Sequence, residues 1–279
     1  MKSRSCFILI IAAFMPLVTC AETDQDWGGR MIVGAKAGLT KKLDVSAAVS
    51  YSLQDKFSAT DKYKFIADIS YRIFRNKAKT FNLKMSLGYE YVKEYMPEKQ
   101  KIKDKGTITD FDDNEFQEYN LICTDAWWNS SHRVKFALSG KAVFSRFTFS
   151  VREMYRYSHS MEVDVNQSKS KFRYSEITNK VELDSVLYEV ERKGNSNEHL
   201  LRSRLQIEYN IPHCKADPFI MAEIFNNVAS GFRLERMRYR AGFDMTFAKR
   251  HGVSVYYQLQ NYIGNKLLHT PVIEYTYEL

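Results

Sequence analysis

The sequence is poor in proline and in long apolar runs, and these shortages exclude several classes of structure. It has five prolines in 279 residues and no proline-rich or glycine- and serine-rich stretch, so no linker divides it into domains. After Val18 no apolar run is long enough for a membrane-spanning helix. It also has no glycine-rich phosphate loop and no histidine–cysteine cluster with metal-ligand spacing. We therefore expect one domain without a helical span and with no cofactor.

The chain begins with the features of a secretory signal peptide. Lys2 and Arg4 precede an apolar run from Cys6 to Val18, and the small residue Ala21 follows. This run is too short for a spanning helix. We predict a signal peptide over residues 1–21 and a mature domain over residues 22–279. The alternative is a lipoprotein signal with Cys20 acylated, although Thr19 is atypical before such a cysteine.

The chain is rich in segments in which apolar and polar residues alternate. In the segment from Leu43 to Leu53 every odd position is apolar and the even positions are polar or small, and Lys62 to Ile73 and Thr80 to Tyr91 alternate in the same way. In a strand this spacing gives one apolar face and one polar face. The segments run about ten to twelve residues, the length that a tilted strand needs to cross a bilayer. Soluble strands usually run only about five or six residues.

The composition agrees with a membrane barrel. Only helices and closed barrels satisfy their backbone polar groups in lipid, so a spanning chain without helices has to be a barrel. The mean hydropathy of −0.42 would suggest a soluble protein, but barrels escape such scans because lumen and lipid faces alternate. The net charge of +8 could suit nucleic acid, but export to the bacterial outer membrane argues against that partner. We expect outer-membrane lipid and the barrel-assembly machinery as partners.

Repeated alternation predicts an all-β fold in which short periplasmic turns alternate with longer outer loops. The predicted strands lie near 30–39, 43–53, 62–73, 80–92, 132–139, 143–157, 199–211, 218–226, 233–247, 252–261 and 271–279. The short connections are 40–42, 74–79, 140–142, 212–217 and 248–251. Two connections, 93–131 and 158–198, are predicted as long outer loops, with a possible hairpin at 180–192. Cys123 and Cys214 fall at opposite ends of this barrel, so we expect two free thiols.

The strand count is odd, whereas bacterial single-chain barrels normally have an even count. A first strand at 30–39 would also run away from the outer side. We therefore predict a transmembrane antiparallel β-barrel of twelve strands, with ten as the alternative. The missing strand lies in 22–30 or in a long loop, unless residues 26–29 rise through the lumen.

Several segments resemble a known family. They are 200–205 with Glu208 and Tyr209, followed by Pro218 and Glu223; 150–157; and 238–242 followed by His251 and 255–257. These segments resemble the Bacteroidota outer-membrane barrels catalogued as domain-of-unknown-function family 2490. The resemblance implies the barrel fold and the outer-membrane location, and it implies no reaction.

The polar face of the strands carries many charges, and a charge facing lipid at the midplane costs about 2–4 kcal/mol, so we place these charges in the lumen. The candidate lumen charges are Lys62, Lys64, Asp68, Arg72, Lys84, Glu90, Arg152, Arg156, Arg202, Arg204, Glu208, Glu223, Arg238, Arg240 and Asp244. Glu153 has the opposite parity. Because it lies about ten residues beyond the predicted turn at Gly140, we expect it at the outer rim.

Three functions remain open at this point. The first is an outer-membrane barrel without enzymatic activity, whose lumen is filled by a network of ion pairs. The alternative is a narrow pore that prefers anions, since Lys and Arg outnumber Asp and Glu on the lumen face. The less favoured reading is a membrane hydrolase, for which His159 and Ser160 are the local candidate pair of base and nucleophile. The sequence leaves the oligomeric state open.

Overall fold

The computed structural model of the chain describes residues 24–109, 115–175, 180–248, 250–264 and 266–279. The predicted signal peptide and Cys20 lie outside these residues. The described chain forms sixteen strands: β1 Asp24–Trp27, β2 Gly29–Gly38, β3 Leu43–Gln54, β4 Ala59–Arg75, β5 Phe81–Met96, β6 Lys99–Thr109, β7 Glu115–Thr124, β8 Trp127–Phe144, β9 Phe147–Ser160, β10 Val163–Ser175, β11 Lys180–Lys193, β12 Ser196–Tyr209, β13 Ala216–Asn227, β14 Arg233–Phe247, β15 His251–Tyr262 and β16 Lys266–Glu278.

Twelve of these strands form one sheet that closes into a barrel. Their order is β1, β16, β15, β14, β13, β12, β9, β8, β5, β4, β3 and β2, and β16 also pairs with β2. The predicted all-β barrel of twelve strands is therefore confirmed. We call the end with the short hairpin connections the turn end, and the opposite end the loop end.

The twelfth strand, β1, lies within 22–30, but it shares one position in the barrel wall with β2 and does not add a new one. β1 and β2 both run parallel to β16, against Lys266–His269 and against Val272–Glu278 respectively. The pairing skips Gly28, whose backbone N–H donates to the carbonyl of His269 at 2.8 Å. The barrel therefore has eleven strand positions around its circumference, and the parallel pairing of β16 with β2 closes it. An odd number of positions requires the first and last strands to run parallel, so β2 runs from the loop end to the turn end, as β16 does.

Residues 26–29 lie in the barrel wall and do not rise through the lumen. The indole of Trp27 stacks on the ring of His269 at 4.6 Å with 12° between the planes. Both rings are on the outer face of the wall, where the hydroxyl of Tyr257 is hydrogen-bonded to Nδ1 of His269.

The two long connections are ordered β-hairpins, which corrects the prediction of two long outer loops. β6 and β7 form one hairpin and β10 and β11 the other, and β7 pairs with β10. Together they form a four-stranded sheet in the order β11, β10, β7, β6, which we call the distal sheet. The charged composition of these segments concealed their alternation, because both faces of the distal sheet are solvated.

The turn between β8 and β9 also differs from the prediction. β8 continues to Phe144 and β9 begins at Phe147, so the turn is Ser145 and Arg146 instead of 140–142. Ser145 has a φ of 54°, as a two-residue hairpin turn requires. Glu153 is therefore only six residues beyond the start of β9, in the middle of the outer surface. Glu153 is therefore not at the outer rim, where we expected it. The hydroxyl of Ser203 donates a hydrogen bond to the Glu153 carboxylate at 2.6 Å.

The outer surface of the barrel is apolar. Side chains of alternate residues project from it along the barrel strands and remain about half exposed. They include Met31, Val33, Val49, Phe65, Ile69, Leu87, Phe136, Val151, Leu205, Val255 and Ile273. An apolar surface of this extent is rare on a monomeric protein in water.

Tyrosine and histidine pairs lie on this surface toward both ends. The phenol of Tyr89 lies 2.5 Å from Nδ1 of His132, and that of Tyr155 lies 2.7 Å from Nδ1 of His199. At the turn end, Tyr275 and His251 repeat the arrangement at 2.8 Å. Each histidine lies directly opposite the second tyrosine of a Tyr-x-Tyr segment and bonds to the first. Amphipathic rings of this kind suit the level where apolar and polar surroundings meet.

No described residue belongs to a helix with the length and hydropathy of a membrane span. Cys214 is exposed in the connection between β12 and β13 at the turn end, and Cys123 is in β7 of the distal sheet.

Candidate functional site in the barrel lumen

The alternation of each strand places one set of side chains inside the barrel. The candidate lumen charges, from Lys62 on β4 to Asp244 on β14, all lie on this inner face. Glu208 and Asp244 lie toward the turn end, where the hydroxyl of Ser254 donates to Asp244 at 2.5 Å. The guanidinium of Arg72 reaches the backbone carbonyl of Lys41 at 2.7 Å and so lies at the turn end of the lumen.

One side of the lumen, formed by β3, β4, β5 and β8, pairs lysines with carboxylates, and we call it the paired wall. Its centre is Lys135, whose Nζ lies 2.8 Å from Glu90 and 3.1 Å from Asp68. Toward the loop end, Lys62 lies 2.5 Å from Glu94 and 3.1 Å from Asp61. These groups are largely buried, so their mutual attraction is screened little by solvent.

A second pair of the same kind lies nearer the turn end of this wall. Lys84 lies 3.0 Å from Asp44, across two strands. In each case a lysine and a carboxylate from different strands meet, and the wall is nearly neutral.

Gly88 makes the central part of the paired wall possible. It is an inward-facing position of β5, and a Cβ there would lie 1.9 Å from the carboxylate of Asp68 and 2.7 Å from Cε of Lys135. The absence of a side chain therefore gives Lys135 the room it needs to reach both carboxylates.

The other side, formed by β9, β12, β13 and β14, carries mostly arginine, and we call it the arginine wall. Its centre is Glu223 on β13, which is 2% exposed. Arg202 lies 2.9 Å from this carboxylate, Arg204 lies 3.2 Å from it, and Arg238 lies 3.1 Å from it. One negative charge thus holds three guanidinium groups, and this cluster carries a net positive charge.

A phenylalanine ring supports the same arginines. The guanidinium carbons of Arg236, Arg238 and Arg202 lie 4.3, 4.7 and 4.8 Å from the centre of the Phe225 ring. The negative face of an aromatic ring attracts a cation, and the attraction grows when water is excluded. Phe225 is 1% exposed, so this site is dry.

Two buried glutamines supply the remaining acceptors of the arginine wall. Gln260 accepts hydrogen bonds from Arg238 at 2.7 and 3.0 Å, and Gln258 accepts one from Arg240 at 3.0 Å. Arg240 also lies over the ring of Tyr256, at 5.0 Å. Among the described residues, Arg152, Arg236 and Arg240 make no ion pair; rings and an amide contact Arg236 and Arg240, and Arg152 donates to the sulfur of Met154 at 3.5 Å.

An apolar cluster lies within the lumen beside these charges. Phe219, Met221, Tyr256 and Val272 are all buried and pack together, with Ile32 against them. Gly242 makes room for this cluster, because a Cβ there would lie 2.3 Å from Cβ of Tyr256. The lumen is therefore filled partly by apolar side chains.

Sequence reasoning missed these apolar lumen residues and several polar ones. β13 reads Phe219, Ile220, Met221, Ala222, which is apolar on both faces and has no clear phase. Glu223 fixes that phase, because it shares parity with Phe219, Met221 and Phe225. The missed polar residues include Arg30, Asp61, Glu94 and Glu198, and the last of these pairs with Arg156.

The structure does not bring the hydrolase candidates together. His159 and Ser160 are consecutive residues of β9, so their side chains project from opposite faces of the sheet. His159 lies on the outer surface, where its Nδ1 is 2.9 Å from Oδ1 of Asn197. Over the residues that the structure describes, no three His, Cys, Asp or Glu side chains are grouped as metal ligands.

The chain was compared with known protein families, curated proteins and solved structures. No functionally curated protein matches the chain. Among solved structures, the translocator domain of the autotransporter NalP from Neisseria meningitidis is 13% identical, with a TM-score of 0.41. That alignment covers 85% of this chain and 76% of the other.

A family model, described as protein of unknown function (DUF2490), matches residues 31–265. The match runs from the start of β2 to the connection before β16, so it includes both lumen walls and the distal sheet. It confirms the resemblance seen in segments 150–157, 200–205 and 238–242. The chain belongs to this family, DUF2490.

Proposed function

We propose that this protein is an outer-membrane barrel with a closed lumen, and that it anchors the distal sheet beyond the membrane surface. The apolar outer surface and the tyrosine and histidine rings at its ends support the membrane placement. Outer-membrane lipid then contacts the outer surface, and the barrel-assembly machinery recognises β16 during insertion. The turn end faces the periplasm, because bacterial barrels have their short connections there.

The packing of the lumen carries the proposal of a closed barrel. Gln258, Phe225 and Glu223 are 0%, 1% and 2% exposed. Side chains of the arginine wall and of the apolar cluster leave them without solvent contact. A barrel of this strand number lies between filled small barrels and the open channels of larger porins. Here the centre of the interior is filled, and the distal sheet is the part of the chain that we propose meets a partner.

The membrane placement is tested by the behaviour of the full chain in detergent. We expect it to require detergent for solubility and to migrate faster on a gel before boiling than after it, because an intact barrel resists unfolding. A chain that is soluble without detergent would contradict the placement.

The closed lumen is tested by conductance in a planar bilayer. We expect no channel events from the native chain. As a matched control we use Phe219→Ala with Tyr256→Ala, which removes the apolar cluster without altering the outer surface, and we expect channel events from it. Channel events of the same size from both proteins would show that the native lumen is open.

A narrow pore that prefers anions is the second candidate, and the arginine wall favours it. Buried Nε atoms of Arg152, Arg156, Arg202 and Arg236 have no hydrogen-bond partner within the described residues. Guanidinium donors of this kind lower the energy of an anion in a pore. If the native chain conducts, its reversal potential in a salt gradient separates the cases. Anion preference that is lost in Arg152→Gln supports the pore.

We expect no hydrolase activity from His159 and Ser160, because they face opposite sides of the barrel wall. Replacing both with alanine should leave any hydrolysis by the purified protein unchanged. Loss of activity in that variant would contradict this expectation.

A further inference from the structure

The distal sheet has two free edges with opposite charge. β6 and β11 each pair with one strand only, so each leaves a row of backbone donors and acceptors unpaired on its outer side. β6 carries four lysines and one aspartate, which leaves it basic, whereas β11 carries Glu182, Asp184, Glu189 and Glu191 with three basic residues at its ends, which leaves it slightly acidic. Lysines on an edge strand usually keep other sheets away. Opposite an acidic edge, the same lysines favour pairing.

The register of the distal sheet places these charges on the same face. Lys99 pairs with Thr124, Thr124 pairs with Gln167, and Gln167 pairs with Glu189. Lys99, Lys101 and Lys103 thus share one face with Glu189 and Glu191. Lys101 and Lys103 make no ion pair with any described residue.

The carboxylates of Glu189 and Glu191 on β11 are partly exposed. The hydrogen bond that Lys193 donates to Glu191 at 2.5 Å is the main reason why the pKa of Glu191 is lowered. Glu189 pairs with Lys169 on the neighbouring strand. A carboxylate has about four acceptor positions, so each of these can hold a second cation from another molecule.

The opposite face of β11 is apolar and uncovered. Val181, Leu183, Val186, Tyr188 and Val190 lie on this face, with exposures from 41% to 80%. On β6 the corresponding face carries Ile102, which is 70% exposed. Exposed apolar residues along an unpaired edge strand form a surface to which another strand can be added.

We infer that β6 of one copy pairs with β11 of a second copy of this chain. β6 runs away from the barrel and β11 runs toward it, so two copies with the same orientation in one membrane bring these edges together antiparallel. Of the two free edges of the distal sheet, β11 carries the charge that complements β6, and it belongs to this same chain. The inference rests on the membrane placement proposed above, since that placement aligns the two copies.

One antiparallel register forms favourable pairs on both faces, with Lys103 then opposite Leu187. It places Lys99 opposite Glu191 and Lys101 opposite Glu189, on the charged face. It then places Ile102 opposite Tyr188 on the apolar face. Because the two edges differ, the contact is head-to-tail and links copies into rows or rings, in contrast to a two-fold dimer.

The register is tested by cysteine crosslinking of the full chain in membranes. The variant carries Ile102→Cys and Tyr188→Cys in a Cys123→Ser background, which removes the native thiol of the distal sheet. Within one chain the two edges are about 14 Å apart, three strand spacings, which is too far for a disulfide. A mild oxidant should therefore link different copies and give a ladder of multiples of the chain mass.

In the matched control the second cysteine is placed at Leu183, and Tyr188 is kept. Leu183 is on the same strand and face but five residues away, so Ile102→Cys with Leu183→Cys should give no ladder. Monomers from both variants, equal ladders from both, or a product whose mass is not a multiple of the chain would overturn the inference. The last outcome would mean that another protein occupies the edge.

Charge reversal tests the same contact without cysteines. Lys101→Glu removes no ion pair among the described residues and should abolish oligomers seen by sedimentation in mild detergent, and Glu189→Lys added to it should restore them. Oligomers that persist in Lys101→Glu would overturn the inference. The gel mobility shift on boiling reports insertion separately, so loss of the contact with the shift retained leaves the membrane placement intact.

Discussion

The two walls of the lumen stabilise buried cations in different ways. On the paired wall Lys62, Lys84 and Lys135 each have a carboxylate within about hydrogen-bond distance, as between Lys135 and Glu90 at 2.8 Å. On the arginine wall Glu223 binds three guanidinium groups, and Phe225, Gln258 and Gln260 add ring and amide contacts to the arginines of this wall. Lysine is a compact point charge that needs a counter-ion, whereas arginine also stacks on rings and donates to amides. The arginine wall can therefore hold excess charge in a closed interior.

The largest expected effect is the loss of the central carboxylate of the arginine wall. Glu223→Gln leaves Arg202, Arg204 and Arg238 without their negative partner, and removing one partner of a buried ion pair costs about 3–5 kcal/mol. The temperature at which the unboiled gel band is lost should fall strongly. The matched variant on the paired wall is Glu90→Gln, where Lys135 retains Asp68 at 3.1 Å and the fall should be smaller. Equal falls would mean that the two walls do not differ in this way.

Filling the space beside Lys135 should destabilise the paired wall next most strongly. Gly88→Val places methyl groups where Asp68 and Lys135 lie, and overpacking of this kind costs about 1–3 kcal/mol. Gly140→Val is the control, because a Cβ at Gly140 meets no atom within 4 Å. If chemical denaturation in detergent gives the same midpoint for both, then the tight contact at Gly88 does not hold the wall together.

The ring of Phe225 should contribute less than the carboxylate does. Phe225→Leu keeps an apolar side chain but removes the face on which three guanidinium groups lie, and each such contact is worth about 0.5–2 kcal/mol. Phe219→Leu is the comparison, since Phe219 contacts the ring of Tyr256 at 5.8 Å and no arginine. A larger loss of thermal stability in Phe219→Leu would contradict the role assigned to Phe225.

The smallest effect is expected at the turn end of the paired wall. Lys84 and Asp44 lie 3.0 Å apart, with side-chain exposures of 29% and 16%. Such a pair is partly screened, so Lys84→Gln should cost no more than about 1 kcal/mol. A loss comparable to that of Glu223→Gln, in the same gel assay, would mean that this pair is as central as the arginine cluster.

The sequence predicted where most side chains point but not which charges meet. The alternation of β4 and β5 is regular, so Lys62, Asp68 and Glu90 were assigned to the lumen without difficulty. That Lys135 bridges Asp68 and Glu90 depends on three strands and on Gly88, and no local pattern carries that information. β13 is apolar on both faces, so its phase, and with it the role of Phe225, required the register with its neighbours.

The distal sheet shows a second limit of the sequence. Its strands alternate, but both faces contact solvent, so no apolar face marks them as clearly as the barrel strands are marked. The bulge at Asp184 also shifts the phase of β11, which obscured its apolar row. Pairing between β7 and β10 joins two hairpins that are distant in the chain.

By itself the sequence determined the all-β class, the closed barrel and the inward or outward direction of its side chains, because the period of a strand is two residues and lipid tolerates few exposed charges. Only the tertiary structure decided the parallel seam of β1 and β2 with β16, the division of the lumen into two walls, and the ordered distal sheet. These depend on contacts between residues far apart in the chain, and the strand period is the same whichever neighbour a strand has.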